Sequence, residues 1–249
     1  MGLNGRMARF AGYAPQVADP EDPARVLAMP LVLRIEKSDP PDRTALLEAV
    51  ARATVLACLD PRAEPDGEWA EAFDRWCAGR IRKIARRARG AQWRAAQEVP
   101  GVTVDCAGAQ ARAFVPGPVG DTDRRLTRLQ IEGTDVEGDL PSTPAEGLCL
   151  WVAPNLPMTV GKLAAQVSHA SMLGAPLVPA DQVEEWYRSG CPLTVRQAGA
   201  QRWATLLDDE RAGRAVAVRD AGYTEVAPGS CTVIAEFRPP EDGDRSALG

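Results

Sequence analysis

Histidine is nearly absent: His169 is the only one in 249 residues. Six cysteines, Cys58, Cys77, Cys106, Cys149, Cys191 and Cys231, form no CxxC pair and have no histidine beside them. That scarcity removes the usual zinc-ligand spacings and leaves buried free thiols, so neither a metal nor a cofactor is expected. Long apolar runs are missing too. The stretch around Leu148 to Ala153 is far short of the roughly 20 residues that cross a bilayer, and no basic segment leads into a signal-type hydrophobic stretch. A cytoplasmic protein without membrane contact is the expectation. Positive charge is in deficit, with a net charge of −5, which argues against broad nucleic-acid binding driven by counterion release.

What is present suffices for a packed core. With 45% apolar and 25% charged residues, the chain fits one large domain or two small ones. Charge is distributed unevenly. Arg80, Arg82, Lys83, Arg86, Arg87 and Arg89 crowd one stretch that holds no acid. Such a run is either a solvated, solubilising face or a patch for phosphates.

Pro, Gly, Asp and Ala dominate residues 1–27 without periodicity, which reads as a disordered leader. Residues 117–146 are rich in turn chemistry and read as a linker, and residues 240–249 as a flexible tail. Between them lie two halves, 28–116 and 147–239, with parallel layouts. LVLRIEKSDP from Leu31 and LCLWVAPNLP from Leu148 open them. At the same ungapped offset Leu46, Val50, Ala53 and Leu56 fall on Leu163, Val167, Ala170 and Leu173. Trp76 then matches Trp186, and Gly90-Ala-Gln matches Gly199-Ala-Gln, at slightly shorter offsets.

In the second half, strands are expected at 148–153, 192–197, 214–219 and 231–237, and helices at 159–176, 181–189 and 199–207. Alternating elements imply an α/β fold, here two tandem α/β sandwich halves, each with a mixed sheet of about four strands flanked by helices. The halves are expected to pack as an intramolecular pseudo-dimer, making the chain a monomer. A helical wheel fits the basic run, but its alignment with Leu193 to Gly199 favours a strand at 81–88.

Chemistry concentrates in two stretches. In Met158-Thr-Val-Gly-Lys-Leu-Ala-Ala-Gln-Val-Ser-His-Ala170, helical spacing puts Lys162, Gln166 and His169 on one face beside an apolar stripe of Leu163, Val167 and Ala170. Lys162 and His169 are about 10 Å apart along such a helix, too far for contact. In Val218-Arg-Asp-Ala-Gly-Tyr-Thr-Glu-Val-Ala-Pro-Gly-Ser-Cys-Thr-Val-Ile-Ala235, a strand ends in an acid and a Gly-containing turn, the kind of place where α/β folds hold ligands.

In these stretches the chain resembles the type 2 peptidyl-tRNA hydrolases, whose motifs GK-x-AAQ-x-SHA and RDAG-x-T-x-(I/V)-APG-(S/T)-x-TV appear in order over about residues 146–238. The resemblance implies hydrolysis of the ester between peptide and terminal ribose, no metal, tRNA as partner, and Lys162, Asp220 and Thr224 as catalytic residues. Gln166, His169 and Arg219 are candidate substrate contacts in the same motifs. Arg82, Arg86 and Arg87 are candidates for tRNA phosphates from the first half. Ester hydrolysis needs a carboxylate to orient a nucleophile and a cation for the oxyanion. Asp220 would polarise Thr224 or a water, and Lys162 would hold the oxyanion or a phosphate. A structural Lys162–Asp220 ion pair is the plain alternative, as a core role is for His169. Other readings of the chain are a non-catalytic tRNA- or protein-binding module on the same fold and an esterase or amidase for smaller acyl substrates.

Two positions depart from the family pattern: Tyr223 stands where a basic residue is usual, and Glu225 where an amide is common. The first half has Ala45, Ala49 and Arg52 in place of Lys162, Gln166 and His169, and no threonine at the matching distance after Asp105. It is expected to be catalytically dead.

Overall fold

The computed structural model describes residues 3–133, 135–222 and 225–240. The first half runs α1 (Leu3–Ala8), β1 (Leu27–Arg34), α2 (Arg43–Leu59), α3 (Ala70–Ala78), β2 (Arg82–Ala88), α4 (Gly90–Gln97), β3 (Gly101–Cys106) and β4 (Ala109–Phe114). After β5 (Gly117–Pro118) and α5 (Arg124–Thr127) comes the second half. It runs β6 (Gly147–Val152), α6 (Val160–Gly174), α7 (Val183–Arg188), β7 (Leu193–Gln197), α8 (Ala200–Arg211), β8 (Ala215–Arg219) and β9 (Cys231–Arg238).

The two sheets have the same plan, with strand orders β2-β1-β4-β3 and β7-β6-β9-β8. In each, the first strand pairs parallel with the strand that follows two helices and antiparallel with the last strand. A small device recurs as well: Trp76 Nε1 donates to the Arg82 carbonyl at 3.1 Å, and Trp186 Nε1 to the Pro192 carbonyl at 2.8 Å. Each indole thus ties a helix to the start of the next strand, satisfying a donor that burial would otherwise leave unpaired. The basic run is strand β2, as its alignment to β7 requires.

α2 and α6 lie against each other between the sheets. Both are buried on nearly every face, which suits their apolar, small-residue composition. Ser171 Oγ donates to the Ala51 carbonyl at 2.8 Å and Ser168 Oγ to that of Val50 at 3.4 Å, so the two backbones approach closely. Leu31, Leu46 and Val50 join Leu148, Leu163 and Val167 in one core shared by both halves. The outer sheet faces are covered separately, by Trp93 of α4 over Val32 and Phe114, and by Leu206 of α8 over Cys149 and Ile234.

Two segments are more structured than their composition suggests. Residues 1–27 were expected to be disordered, yet Leu3, Met7 and Phe10 are buried in the shared core. Apolar residues at i, i+4 and i+7 give this short piece a face to bury, and tertiary packing supplies what a six-residue helix lacks alone. Residues 117–146 form a strap rather than a bare linker. β5 adds a fifth strand by pairing with β1, Gln130 bridges to Arg87, and Leu126 and Leu129 pack under α4. Further along, the Pro141 carbonyl accepts from the Gln197 amide at 2.9 Å, so the strap reaches both halves. Of the expected tail, only residue 240 is among the described residues. No described helix is long and apolar enough to cross a membrane.

Candidate active site

Strand β8 and helix α6 bring the two motifs together. Thr159 caps α6, its Oγ1 accepting from the Lys162 amide at 3.1 Å, which places Lys162 in the first helical turn. Asp220 follows β8 directly, after a register shift between Val218 and Arg219 that turns the strand end toward the helix. The Lys162 ammonium donates to Asp220 Oδ2, and Gln166 Nε2 donates to the same oxygen at 2.8 Å. Asp220 Oδ1 accepts from the Gly222 amide at 2.7 Å. The pair is well enclosed, with 10% and 9% of the two side chains exposed.

The loop from Asp220 to Ser230 is held by its own backbone. Asp220 N–H donates to the Ser230 carbonyl at 2.9 Å and Gly229 N–H to the Asp220 carbonyl at 2.7 Å. Gly222 has φ +79°, and a Cβ there would stand 2.3 Å from Pro228 Cγ, so only glycine fits. Tyr223 and Thr224 lie outside the described residues, Thr224 with its expected catalytic role. In the first half the equivalent connection is the two-residue turn Ala107-Gly108, with φ +48° and +86°. A turn so short has no counterpart of the Asp220–Ser230 loop, and α2 carries Ala45 and Ala49 at the places that Lys162 and Gln166 take on α6.

Lys162, Gln166, His169, Asp220 and Arg219 all line a cleft of about 780 Å³ whose opposite wall is β2. Arg82 reaches this cleft, where its Nη1 donates to Asp19 Oδ1 at 2.6 Å. Arg86 and Arg87 do not line it. Arg86 donates to the Leu129 carbonyl at 3.1 Å and Arg87 to Gln130 Oε1, so both anchor the strap. Arg219 makes a forked pair with Glu210 at 2.9 and 3.2 Å, which raises its guanidinium pKa further.

Three contributors escaped sequence reasoning. Thr232 Oγ1 donates to Gln166 Oε1 at 2.6 Å; the signal was its place in the second motif. Glu225 takes both Thr159 Oγ1 and the Thr159 amide at 2.7 Å, so its carboxylate sits at the N-terminal end of α6, where a helix dipole favours an anion. Lys83, the lone lysine of the basic run, extends from β2 to within 3.0 Å of His169 Nδ1. Burial lowers the Lys83 pKa to about 7, and burial with the Lys83 and Lys162 charges holds His169 well below the usual imidazole value.

Residues 147–242 match the family described as Peptidyl-tRNA hydrolase PTH2. A peptidyl-tRNA hydrolase of Haloquadratum walsbyi is 36% identical over 84 residues, covering 32% of this chain and 75% of that protein. One from Methanopyrus kandleri is 39% identical over 89 residues, 33% of this chain and 76% of its own. The chain belongs to the peptidyl-tRNA hydrolase PTH2 family. A probable peptidyl-tRNA hydrolase 2 of Schizosaccharomyces pombe is 35% identical over 99 residues, 36% of this chain and 48% of that protein. These matches of 84 to 99 residues and the PTH2 match at 147–242 have the length of the second half alone.

Proposed function

We propose that the second half hydrolyses the ester joining a peptide to the terminal ribose of tRNA, with Lys162 and Asp220 at the reacting centre. The observation that carries this reading is the convergence of Lys162 and Gln166 on one oxygen of Asp220 at the wall of an open cleft. In the reaction, Asp220 takes a proton from the attacking water, directly or through Thr224. The water oxygen bonds to the ester carbon, the bond from that carbon to the ribose oxygen breaks, and the proton passes to the ribose oxygen. Lys162 stabilises the negative charge that builds on the carbonyl oxygen. Gln166, His169, Arg219 and Arg82 contact substrate along the cleft, while Arg86 and Arg87 act on tRNA phosphates only through the surface that the strap leaves open. No described trio of His, Cys, Asp or Glu is disposed to hold a metal ion.

Residues 28–116 are, in the same reading, a degenerate copy of residues 147–239, joined to it as the second member of a pseudo-dimer. Shared strand order and the paired Trp76 and Trp186 bonds support duplication. The leader and the strap pack against both copies, and the chain acts as a cytoplasmic monomer. Incubation with N-acetyl-aminoacyl-tRNA tests the activity: acyl release by the wild type, lost in Asp220→Ala and strongly reduced in Lys162→Ala, is expected. No release by the wild type removes the hydrolase reading in favour of a binding module. Release untouched by either substitution removes the site assignment.

A further inference from the structure

The cleft draws its second wall from the half that carries no site of its own, and one contact crosses between them through a defined chemistry. Lys83 Nζ lies 3.0 Å from His169 Nδ1 and 3.2 Å from Met172 Sδ, with the Trp76 ring centroid 4.9 Å away. An ammonium has hydrogens to give and no lone pair, so in this contact Nδ1 must be the acceptor. The imidazole proton is then on Nε2, which has no hydrogen-bond partner among the described residues although His169 lines the cleft. A tautomer fixed in this way turns an otherwise ambiguous ring into a defined donor.

What that donor meets follows from its position. His169 stands two turns of α6 beyond Lys162, about 10 Å along the axis, a span of roughly three residues of extended peptide. Ile81, Ile84, Ala85, Ala165 and Leu173 give this cleft an apolar lining that suits an acyl chain, with Arg82 on the same wall. We propose that Lys83, supplied by the first half, is a positioning residue that locks His169 as an Nε2–H donor to a peptide carbonyl upstream of the scissile ester. The substrate's peptide moiety runs along the apolar part of this wall, with the scissile ester at Lys162. The assignment of the acceptor rests on the peptidyl-tRNA reading; the lock does not.

Two measurements separate them. His169 is the chain's only histidine, so ¹⁵N-histidine labelling gives one ring to follow by NMR. Below the Lys83 value of about 7, the wild type is expected to show a proton on Nε2 and none on Nδ1, and Lys83→Met a mixture of tautomers. Kinetics with tripeptidyl-tRNA and N-acetyl-aminoacyl-tRNA is the second arm. Lys83→Met is expected to lose about three- to tenfold more kcat/KM on the tripeptidyl substrate, mainly through KM, as fits one hydrogen bond, and Lys83→Arg to recover most of it. A wild-type proton on Nδ1, or equal losses on both substrates, overturns the proposal. Absence of release from both substrates by the wild type would instead count against the hydrolase reading, with the NMR result still deciding the lock.

Discussion

Thr232 Oγ1 donates to Gln166 Oε1 at 2.6 Å, at the end of the amide opposite the one that meets Asp220. The Asp220 carboxylate only accepts, so it takes Nε2, at 2.8 Å, and leaves Oε1 to the Thr232 hydroxyl. Thr232 is fully buried on β9, so this bond is made inside the sheet, away from solvent. Thr232→Val keeps the shape and removes the donor. It is expected to cost about 1–3 kcal/mol of stability by leaving a buried acceptor unpaired and to lower kcat by roughly tenfold, read by denaturant unfolding and acyl release. In a cycle with Gln166→Ala the two losses in kcat should be markedly less than additive, because both act through one bond to Asp220.

The Lys162–Asp220 pair should separate stability from chemistry. Each side chain is about nine-tenths enclosed, so removing one charge leaves the other enclosed and less compensated. Lys162→Met and Asp220→Asn are each expected to destabilise by about 3–5 kcal/mol. Combined, they should recover much of the loss in Tm while acyl release stays abolished. Recovery of activity along with stability would show the pair to be structural only.

The basic strand gives a graded outcome. Arg82 lines the cleft whereas Arg86 and Arg87 hold the strap through Leu129 and Gln130. Arg82→Gln alone, which also breaks the forked pair with Asp19, is expected to weaken tRNA binding with a small drop in Tm, and to reduce the slope of log affinity against log salt by about one. Adding Arg86→Gln and Arg87→Gln should lower Tm visibly; a salt slope that falls no further would confine those two to the strap.

How much of this could be read in advance depended on where each residue finds its partner. The α6 face of Lys162 and Gln166 was legible because helical spacing is local, and strand β2 because its alignment to β7 outweighed a plausible helical wheel. The leader misled: its Pro and Gly obscured Leu3, Met7 and Phe10, whose packing is supplied by α2 and the core beyond it. The strap misled similarly, since Leu126 and Leu129 bury under an α4 whose position no local pattern states. Lys83 was illegible as a site residue because its partner His169 is 86 positions away and belongs to the other half.

The half-buried Lys83 has a signature in stability. Lys83 falls from 10.5 to about 7 through burial. Between those values the unfolded chain holds a proton that the folded chain has released, so this group's contribution to stability rises with pH across that window. Below pH 7 both states are protonated and the folded state carries the whole penalty. His169, held well below 6.5 mainly by burial, adds a further loss as pH falls through 6.5. Lys83→Met should accordingly be more stable than the wild type below pH 7, with the gap closing toward pH 10.5. Paired unfolding curves across this range check it, and a constant gap would contradict it.

Glu225 poses the remaining electrostatic question, because the proposed site for tRNA carries an acid at its rim. Its carboxylate holds Thr159 by two bonds of 2.7 Å and so steadies the start of α6, the turn that carries Lys162. The same charge repels phosphates approaching the cleft. Glu225→Gln retains one oxygen for the Thr159 amide and an NH₂ for its hydroxyl, so the cap survives while the charge goes. Binding of tRNA should tighten by about two- to fivefold at low salt, an advantage that fades as ionic strength shortens the screening length, with Tm reduced slightly by loss of the favourable dipole contact. Glu225→Ala removes cap and charge together. It should gain the same binding at low salt yet lose kcat, since Lys162 would no longer be held toward Asp220; equal kcat in the two variants would mean that the cap has no part in placing that ammonium.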